Sequence, residues 1–317
     1  MKILTAKFTL VFLLCAGTVF AGEPERLLVV VVPVADIRRL PEEGKPGYGH
    51  DDLNETQVLY NEILAYKGEN AGWYQVEAEE QKEFTHHQAW QGYPGWIKKD
   101  KAVFIGEKPE YNIVVRSRVA GILEKPSAVS KVLLAASVGT KFKETGQEGG
   151  FYKVELSGNA TGWISEKEAA RTDAPENEDQ KRQTIVKEAK LFIGAPYYWG
   201  GRGSGAVDCS GLVNLAYRAS GIDVPRDAHE QWMAAKPIVA EELKPGDLIF
   251  LSKKGDFKSI VHVMLYLAGE DFIEAPGTGK SVLIDNFNAK FGLSRDALKK
   301  QGSVVSGQKI YFGRLLS

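Results

Sequence analysis

The chain has 317 residues, of which 44% are hydrophobic and 26% are charged, so it has the composition of an ordinary globular protein with room for two or three domains. Its 40 lysines and arginines almost balance its 41 aspartates and glutamates. That balance argues against binding driven by strong positive charge, so neither nucleic acid nor an anionic membrane surface is an expected partner.

The first 21 residues have the pattern of a secretory signal peptide. Lysines precede an apolar run over 8–16, and small residues follow it. We expect cleavage after Ala21 and export to the periplasm or the medium. The run is too short to span a bilayer comfortably, so no integral membrane segment is expected after cleavage. Lipid attachment at Cys15 is the less favoured alternative, because Leu14 stands where a lipoprotein signal has a small residue.

Two successive stretches, 22–105 and 106–172, carry the signals of short β-strands separated by glycine turns. Both contain an aromatic strand, a turn and then Gly-Trp-Ile, in that order. The matched segments are 73–76 with 95–97, and 151–154 with 162–164. This repeat predicts two copies of one small all-β unit, and its pattern resembles the bacterial SH3-like barrel.

The first copy has a longer path between its matched segments, which runs through His86, His87, Trp90 and Tyr93. Lengthened loops on a rigid scaffold often carry function. The adjacent histidines point in different directions and have no carboxylate or cysteine at a suitable spacing, so a solvated loop is favoured over a metal site. The sequence calls for no metal and no cofactor.

Residues 173–317 begin with a polar linker and a helix, and then a glycine-rich loop leads to Cys209 at the start of a second helix. The unpaired N–H groups and the dipole of a helix N-terminus favour a thiolate there. An unpaired cysteine in an exported chain is a candidate reactive thiol. The alternative is a small buried hydrophobe, but the glycine-rich approach and the flanking Asp208 and Ser210 favour a nucleophile.

A cysteine nucleophile needs a base and a group that orients the base. Among the five histidines, His262 is held most rigidly, because it lies in a predicted strand over 260–267. Glu274, on the return strand, is the candidate that orients it. The two share a face only if the residue numbers of each pair in the hairpin add up to an even number. A loop with an odd number of residues, or a bulge, provides this register. The alternative for Glu274 is a strand carboxylate facing water.

Four motifs then occur in order: Pro-Tyr-x-Trp-Gly-Gly, Asp-Cys-Ser-Gly, Leu-x-Pro-Gly-Asp-Leu, and His-Val at the start of a hairpin. From about Glu176 onward the chain resembles the NlpC family of cell-wall cysteine peptidases. The resemblance implies an α+β, papain-like domain that cleaves the γ-D-glutamyl bond of peptidoglycan stem peptides. It implies Cys209 as nucleophile, His262 as base and Tyr197 beside the oxyanion site. Glu274 takes the third position, where histidine is usual.

Two barrels ahead of such a domain are similar to the layout of the γ-D-glutamyl-L-diamino acid endopeptidases. This resemblance implies that the first barrel closes one end of the cleft, so that only stems or muropeptides with a free N-terminal L-Ala enter. The substrate-binding residues implied are Glu55, Tyr93 and Asp208 at the ammonium, Trp199 as a wall and Ser210 near the D-Glu carboxylate. The alternative for Tyr93 and Trp199 is simple packing.

A second hypothesis belongs to another class: a catalytically inactive protein that binds the cell wall or a partner through SH3-like barrels. Intact Cys209, His262 and Tyr197 favour the peptidase, whereas Glu274 is the one point in favour of the binding protein.

Overall fold

The computed structural model describes residues 26–44, 47 and 49–316. The predicted signal peptide, with Cys15, lies outside these residues. Within the described part of the chain, no helix has both the length and the apolar character needed to cross a membrane.

The first β-region forms one antiparallel sheet. Its strands are β1 (Leu27–Val30), β2 (Val34–Arg38), β3 (Asn54–Leu59), β4 (Ile63–Asn70), β5 (Trp73–Glu83), β6 (Gln91–Lys98) and β7 (Ala102–Ile105). They are ordered β3-β2-β6-β5-β4-β1-β7. Alternating apolar residues, among them Ile37, Val76 and Ile97, build a core inside this sheet. Tyr93, which the sequence placed in a lengthened loop, lies instead in β6, where it pairs with Ala78 and is buried.

The second β-region splits into two smaller sheets. Its strands are β8 (Ile113–Val115), β9 (Val119–Leu123), β10 (Val132–Ser137), β11 (Lys141–Phe142), β12 (Glu144–Glu148), β13 (Phe151–Leu156), β14 (Ala160–Ser165) and β15 (Ala169–Arg171). One sheet has the order β10-β9-β14-β13-β12 and the other β11-β8-β15. A separate apolar cluster that includes Ile122, Phe142 and Ile164 fills the space between them.

The matched segments of the two β-regions pair in the same register. In the hairpin of β5 and β6, Val76 lies opposite Gly95, and in the hairpin of β13 and β14, Val154 lies opposite Gly162. A Cβ at either glycine would overlap the γ-methyl of an isoleucine, Ile37 or Ile122, on a neighbouring strand. The glycine of Gly-Trp-Ile is therefore required in both regions for the same packing reason.

The remaining residues combine helices with an antiparallel sheet, as the sequence predicted. The helices are α1 (Glu178–Lys190), α2 (Cys209–Ala219), α3 (Ala228–Ala234) and α4 (Phe287–Phe291); the strands are β16 (Lys236–Pro237), β17 (Leu248–Lys253), β18 (Asp256–Ala268), β19 (Asp271–Glu274), β20 (Leu283–Asn286), β21 (Ser303–Val305) and β22 (Gln308–Arg314). The sheet order is β16-β22-β17-β18-β19-β20, with β21 paired to β22.

The long strand β18 is buried on both faces. Val263 and Leu265 belong to a core cluster shared with α1 and α2, whereas Met264 and Tyr266 belong to a second cluster shared with α4. A strand covered on both sides cannot shift its register without exposing one apolar set. This strand carries His262, so the predicted base lies on a fixed part of the fold.

Buried ion pairs join the first sheet to the helices of the third region. The Glu62 carboxylate accepts from Arg202, which is fully buried on the loop before α2. It also lies 3.6 Å from Arg218 of α2, and Arg218 pairs with Glu80 of β5. Charges taken out of water require such partners, and these partners come from different units. The first sheet is thereby tied to the helix that Cys209 begins.

Candidate active site

Cys209 is the first residue of α2, the position that the sequence predicted. The Asp208 side chain caps the helix, because its Oδ1 accepts from the backbone N of Gly211 at 2.6 Å. Gly211 has no space for a side chain, since a Cβ there would overlap the carbonyl oxygen of Gly201. The thiol of Cys209 is free, and the residue is 8% exposed. The glycine-rich loop thus packs directly against the start of α2 at the Asp-Cys-Ser-Gly motif.

A β-bulge lies directly beside His262. Leu251 of β17 pairs with His262, but the next residue, Ser252, pairs with Ile260, which leaves Val261 as the extra residue. Bulges redirect neighbouring side chains and are common beside active sites. A second register shift follows between β18 and β19, after Tyr266. The sequence-based condition for a shared face, an odd loop or a bulge, is met at this hairpin.

His262 and Glu274 are hydrogen-bonded, with 2.6 Å between Nε2 and Oε2. An imidazole has two ring nitrogens, so this bond leaves Nδ1 for the Cys209 thiol, with which the ring also interacts. Thiol, imidazole and carboxylate therefore stand in a row. They come from α2, β18 and β19.

The charges in this row determine the ionisation of His262. Burial lowers its pKa, but the interaction with Cys209 and the hydrogen bond to Glu274 have the larger opposite effect and raise the pKa to about 9. The imidazole is therefore protonated at neutral pH. Burial alone would raise the pKa of Glu274, but His262 and Lys290 hold it below its ordinary value.

Tyr197 lies next to the nucleophile. The pKa of its buried phenol is raised by burial and then by the nearby Cys209 and Asp208. Its backbone is fixed on both sides, by a bridge to Val207 and by a bond from its N–H to the carbonyl of Lys280. A neutral hydroxyl beside the thiol is a donor suited to an oxyanion.

Trp199 is 43% exposed at the surface of the same loop. Its ring centroid lies 5.5 Å from that of His50, and its carbonyl accepts from Asn54 at 2.7 Å. Both partners belong to the first β-region. The ring therefore forms a surface shared by two units, in agreement with a wall.

Glu55 and Tyr93 come together, and the structure adds Asp227 to them. The Tyr93 hydroxyl lies 2.9 Å from Asp227 Oδ2 and 3.4 Å from Glu55 Oε2. Glu55 is also paired with the exposed Arg39. The pKa of Asp227 is raised to about 7, because burial and the nearby Asp208 and Glu230 outweigh Arg226. No spacing in the sequence pointed to this contact with Asp227.

Asp208 and Ser210 are held by Arg226, a second residue that the sequence did not single out. This fully buried guanidinium lies 2.7 Å from Asp208 Oδ2 and 2.8 Å from Ser210 Oγ. Its Nε donates to Thr56 of the first sheet at 2.6 Å. Donors of the chain thus already occupy both oxygens of Asp208. Asp208 anchors the start of α2 in the structure, and its contact with a substrate ammonium stays a prediction.

Among the described residues, no group of three or more His, Cys, Asp or Glu side chains is placed to hold a metal ion. His86 and His87 follow β5 and bond to Glu83 and Gln91 respectively. His86 also packs its ring edge-on against Tyr93, at 5.4 Å between centroids.

Comparison with known proteins agrees with this geometry. Residues 194–298, which contain Cys209, His262 and Glu274, match the NlpC/P60 family. The chain therefore contains an NlpC/P60 domain over these residues. The NlpC/P60 domain thus includes the helix, the bulged strand and the return strand that bring the three side chains together.

Similarity to relatives of this family extends beyond the NlpC/P60 domain. A γ-D-glutamyl-L-lysine dipeptidyl-peptidase of Bacillus subtilis is 29% identical over 250 residues, which cover 78% of this chain and 81% of the relative. One of the same name from Bacillus cereus is 25% identical over 74% of this chain and 71% of the relative. A solved NlpC/P60 family structure from Bacillus cereus superposes with a TM-score of 0.76 and 21% identity, over 92% of this chain and all of that one. The β-regions ahead of the domain are thus part of the shared fold.

Proposed function

We propose that this chain is a cysteine peptidase that hydrolyses the γ-D-glutamyl bond to the diamino acid in peptidoglycan stem peptides. The observation that carries the proposal is the row of Cys209, His262 and Glu274 at the start of a buried helix in an NlpC/P60 domain. The names of the similar dipeptidyl-peptidases support the bond class. A catalytically inactive binding protein would have no need of this aligned row.

The geometry supports covalent acyl transfer. The Cys209 thiolate attacks the scissile carbonyl carbon, and the carbonyl oxygen takes up negative charge facing the backbone N–H of Cys209 and the hydroxyl of Tyr197. The C–N bond then breaks, and the His262 imidazolium gives its proton to the leaving amine. Water, deprotonated by the now neutral His262, hydrolyses the thioester. Glu274 holds the ring in place through both half-reactions.

The cluster of Glu55, Tyr93 and Asp227 supports selection for a free N-terminal L-Ala. Two carboxylates and a phenol at one point form an environment that an ammonium group neutralises. Contacts running from Tyr93 through Asp227 and Arg226 to Asp208 connect this cluster to the nucleophile helix. An acetylated amine carries no charge and could not pair with these carboxylates, and losing such a pair costs on the order of 2–5 kcal/mol.

The proposal includes the arrangement of the chain. Residues 1–21 are a signal peptide, 22–105 and 106–172 are two SH3-like barrels, and 173–317 are the papain-like catalytic domain. The protein acts after export, on stem peptides or muropeptides of the cell wall. The shared register of the two hairpins and the matching glycines support two copies of one unit.

The deciding experiment is mass spectrometry of the purified protein with L-Ala-γ-D-Glu-L-Lys, both as the free amine and as the N-acetylated peptide. We expect the free-amine peptide to release L-Ala-γ-D-Glu. Its kcat/KM should exceed that of the acetylated form by about 30-fold or more, which is the fold-change that corresponds to the loss of an ion pair. Cys209→Ala should abolish release. Absence of cleavage by the wild-type protein would overturn the proposal.

A pair of tyrosine variants tests the amine cluster separately. Tyr93→Phe removes the hydroxyl that faces Asp227 and Glu55, and it should lower kcat/KM for the free-amine peptide by about 10- to 100-fold, as for a hydrogen bond to a charged group. Tyr74→Phe, in the neighbouring strand β5, is the matched control and should change little. Equal cleavage of both peptides by the wild-type protein would retain the peptidase but discard the cluster's role.

A further inference from the structure

The carboxylate of Glu274 has two cationic partners, and the row described above uses only one of them. Its Oε2 bonds to His262, and its Oε1 lies 2.6 Å from Nζ of Lys290. The Glu274 side chain is 1% exposed, whereas that of Lys290 is 23% exposed. The lysine comes from α4, an element that contributes no other side chain to the row.

The position of Lys290 is fixed by packing. α4 begins with the Asn286 side chain accepting from the N–H of Ala289 at 2.8 Å. On the face of the helix that packs inward, the ring of Phe287 lies 5.4 Å from that of Phe272, two residues before Glu274 on β19. Helix and strand are thus held against each other next to the ion pair, and the lysine is not a freely moving surface group.

A second cation has a purpose at the moment when His262 is neutral. In the proposed reaction the imidazolium gives its proton to the leaving amine, and Glu274 then loses its charged partner. A buried carboxylate without a cation is costly and tends to take up a proton. Lys290 takes no part in this proton transfer and still faces Oε1, so it favours the ionised form of Glu274, which can orient the neutral imidazole.

We propose that Lys290 is a positioning residue of this active site, and that Glu274 and Lys290 form a functional pair in place of the single histidine usual at the third position. This inference rests on the proposed function. The groups that act on the ionisation of Glu274 are His262 from β18 and Lys290 from α4, and His262 in turn faces Cys209 from α2. Removing the lysine therefore leaves His262 as the nearest cation.

The test is the pH dependence of kcat/KM for Lys290→Met, Lys290→Arg and a control, Lys299→Met, at an exposed lysine. Lys290→Met should move the acid limb of the profile to higher pH by on the order of one unit, because a carboxylate that loses a cation is protonated more readily. At a pH below both acid limbs, a shift of one unit corresponds to a loss of activity of about tenfold. Lys290→Arg should restore the wild-type limb, and Lys299→Met should not move it.

The same substitution in a Glu274→His background shows whether the two residues form a pair. A histidine in that position leaves the ammonium without an anion to balance, so Lys290→Met should there leave the acid limb unmoved and leave activity equal or higher. A shift of equal size in both backgrounds would overturn the pairing. An unmoved limb in Lys290→Met alone would overturn the role of the lysine.

A readout that needs no peptide keeps this inference separate from the proposed function. The rate of alkylation of Cys209 by iodoacetamide reports the thiolate that the imidazolium supports, and its acid limb should shift upward in Lys290→Met as well. If the protein cleaves no peptide but this shift is present, the pair stands and the substrate assignment fails. The melting temperatures of Lys290→Met and Lys290→Arg should be nearly equal. A difference in the acid limb between these two variants would then not come from a difference in stability.

Discussion

Cys209 owes its proposed reactivity to two side chains that are far from it in the sequence. His262 reaches the thiol because a bulge redirects it, and Glu274 reaches His262 because a second register shift follows Tyr266. Each bond in the row stabilises the charge on the next member, which is why the pKa of His262 rises to about 9 although burial opposes it. The ionisation of the three groups is therefore a property of the whole row.

The raised pKa of His262 predicts a basic limit to activity. The imidazolium that protonates the leaving amine is present below about pH 9 and is lost as the pH rises through that value. Since the folded-state pKa lies above the ordinary 6.5, the associated stability is fully present below pH 6.5 and disappears over the same range. We expect kcat/KM and the free energy of unfolding both to fall towards pH 9. A basic limit near pH 7 would contradict the row.

Removing the imidazole should affect the thiol itself. His262→Ala deletes the cation beside Cys209, so alkylation by iodoacetamide at pH 6 should become much slower than in the wild-type protein. Peptide cleavage should fall by about 10²- to 10⁴-fold, the usual contribution of a positioned acid–base group. His87→Ala, in the first β-region, is the matched control. Undiminished alkylation would show that His262 does not act on the thiol.

Among the elements, the two hairpins that end in Gly-Trp-Ile show how one packing solution occurs twice. Gly95 and Gly162 lie opposite valines in identical register, and each leaves room for an isoleucine from the neighbouring strand. An extra methyl at these positions would overlap a neighbouring atom that cannot easily move, because that atom is a methyl on a stiff β-branched side chain.

Gly162→Ala should therefore destabilise the second β-region. The overpacking predicts a loss of about 1–3 kcal/mol in the free energy of unfolding, measured by urea denaturation. Gly106→Ala is the control, since no atom lies within 4 Å of a Cβ there. If the two variants were equally stable, the close approach of Ile122 would not constrain the hairpin.

For the molecule as a whole, buried charges are among the contacts that join the first β-region to the third region. Glu62, in the turn between β3 and β4, lies close to Arg202 and Arg218, and all three side chains are at most 2% exposed. From the same sheet, Thr56 accepts from Arg226, which holds Asp208 at the start of the nucleophile helix. The first β-region thus supports the start of α2.

Glu62→Gln tests this coupling between units. The substitution keeps the shape but removes the carboxylate that faces the buried Arg202, so it should cost about 3–5 kcal/mol of stability. Glu69→Gln, which breaks an exposed pair with Lys99, should cost less than about 1 kcal/mol. Scanning calorimetry of both variants checks the contrast. A small loss in Glu62→Gln would mean that the units are held together mainly by apolar contacts.

Local patterns in the sequence were enough to predict the helix that Cys209 begins, the strand that carries His262 and the matched hairpins, because each depends on residues close together in the chain. Motif order sufficed for the family resemblance, which the comparisons confirm. The condition on the hairpin register was also within reach of the sequence. Tyr93 was misplaced because its pairing with Ala78 spans a loop whose length says nothing about register.

The sequence by itself therefore determined the helix that Cys209 begins, the strand that carries His262 and the family resemblance, and it proposed the three side chains of the row. Only the tertiary structure could add Asp227 to Tyr93, Arg226 to Asp208 and Lys290 to Glu274. Each of these contacts joins two elements across a turn or between units, and no spacing along the chain encodes which charged side chain will face which. The partner of each buried charge is set by the packing of the units, because a charge removed from water needs an opposite charge or a hydrogen bond nearby.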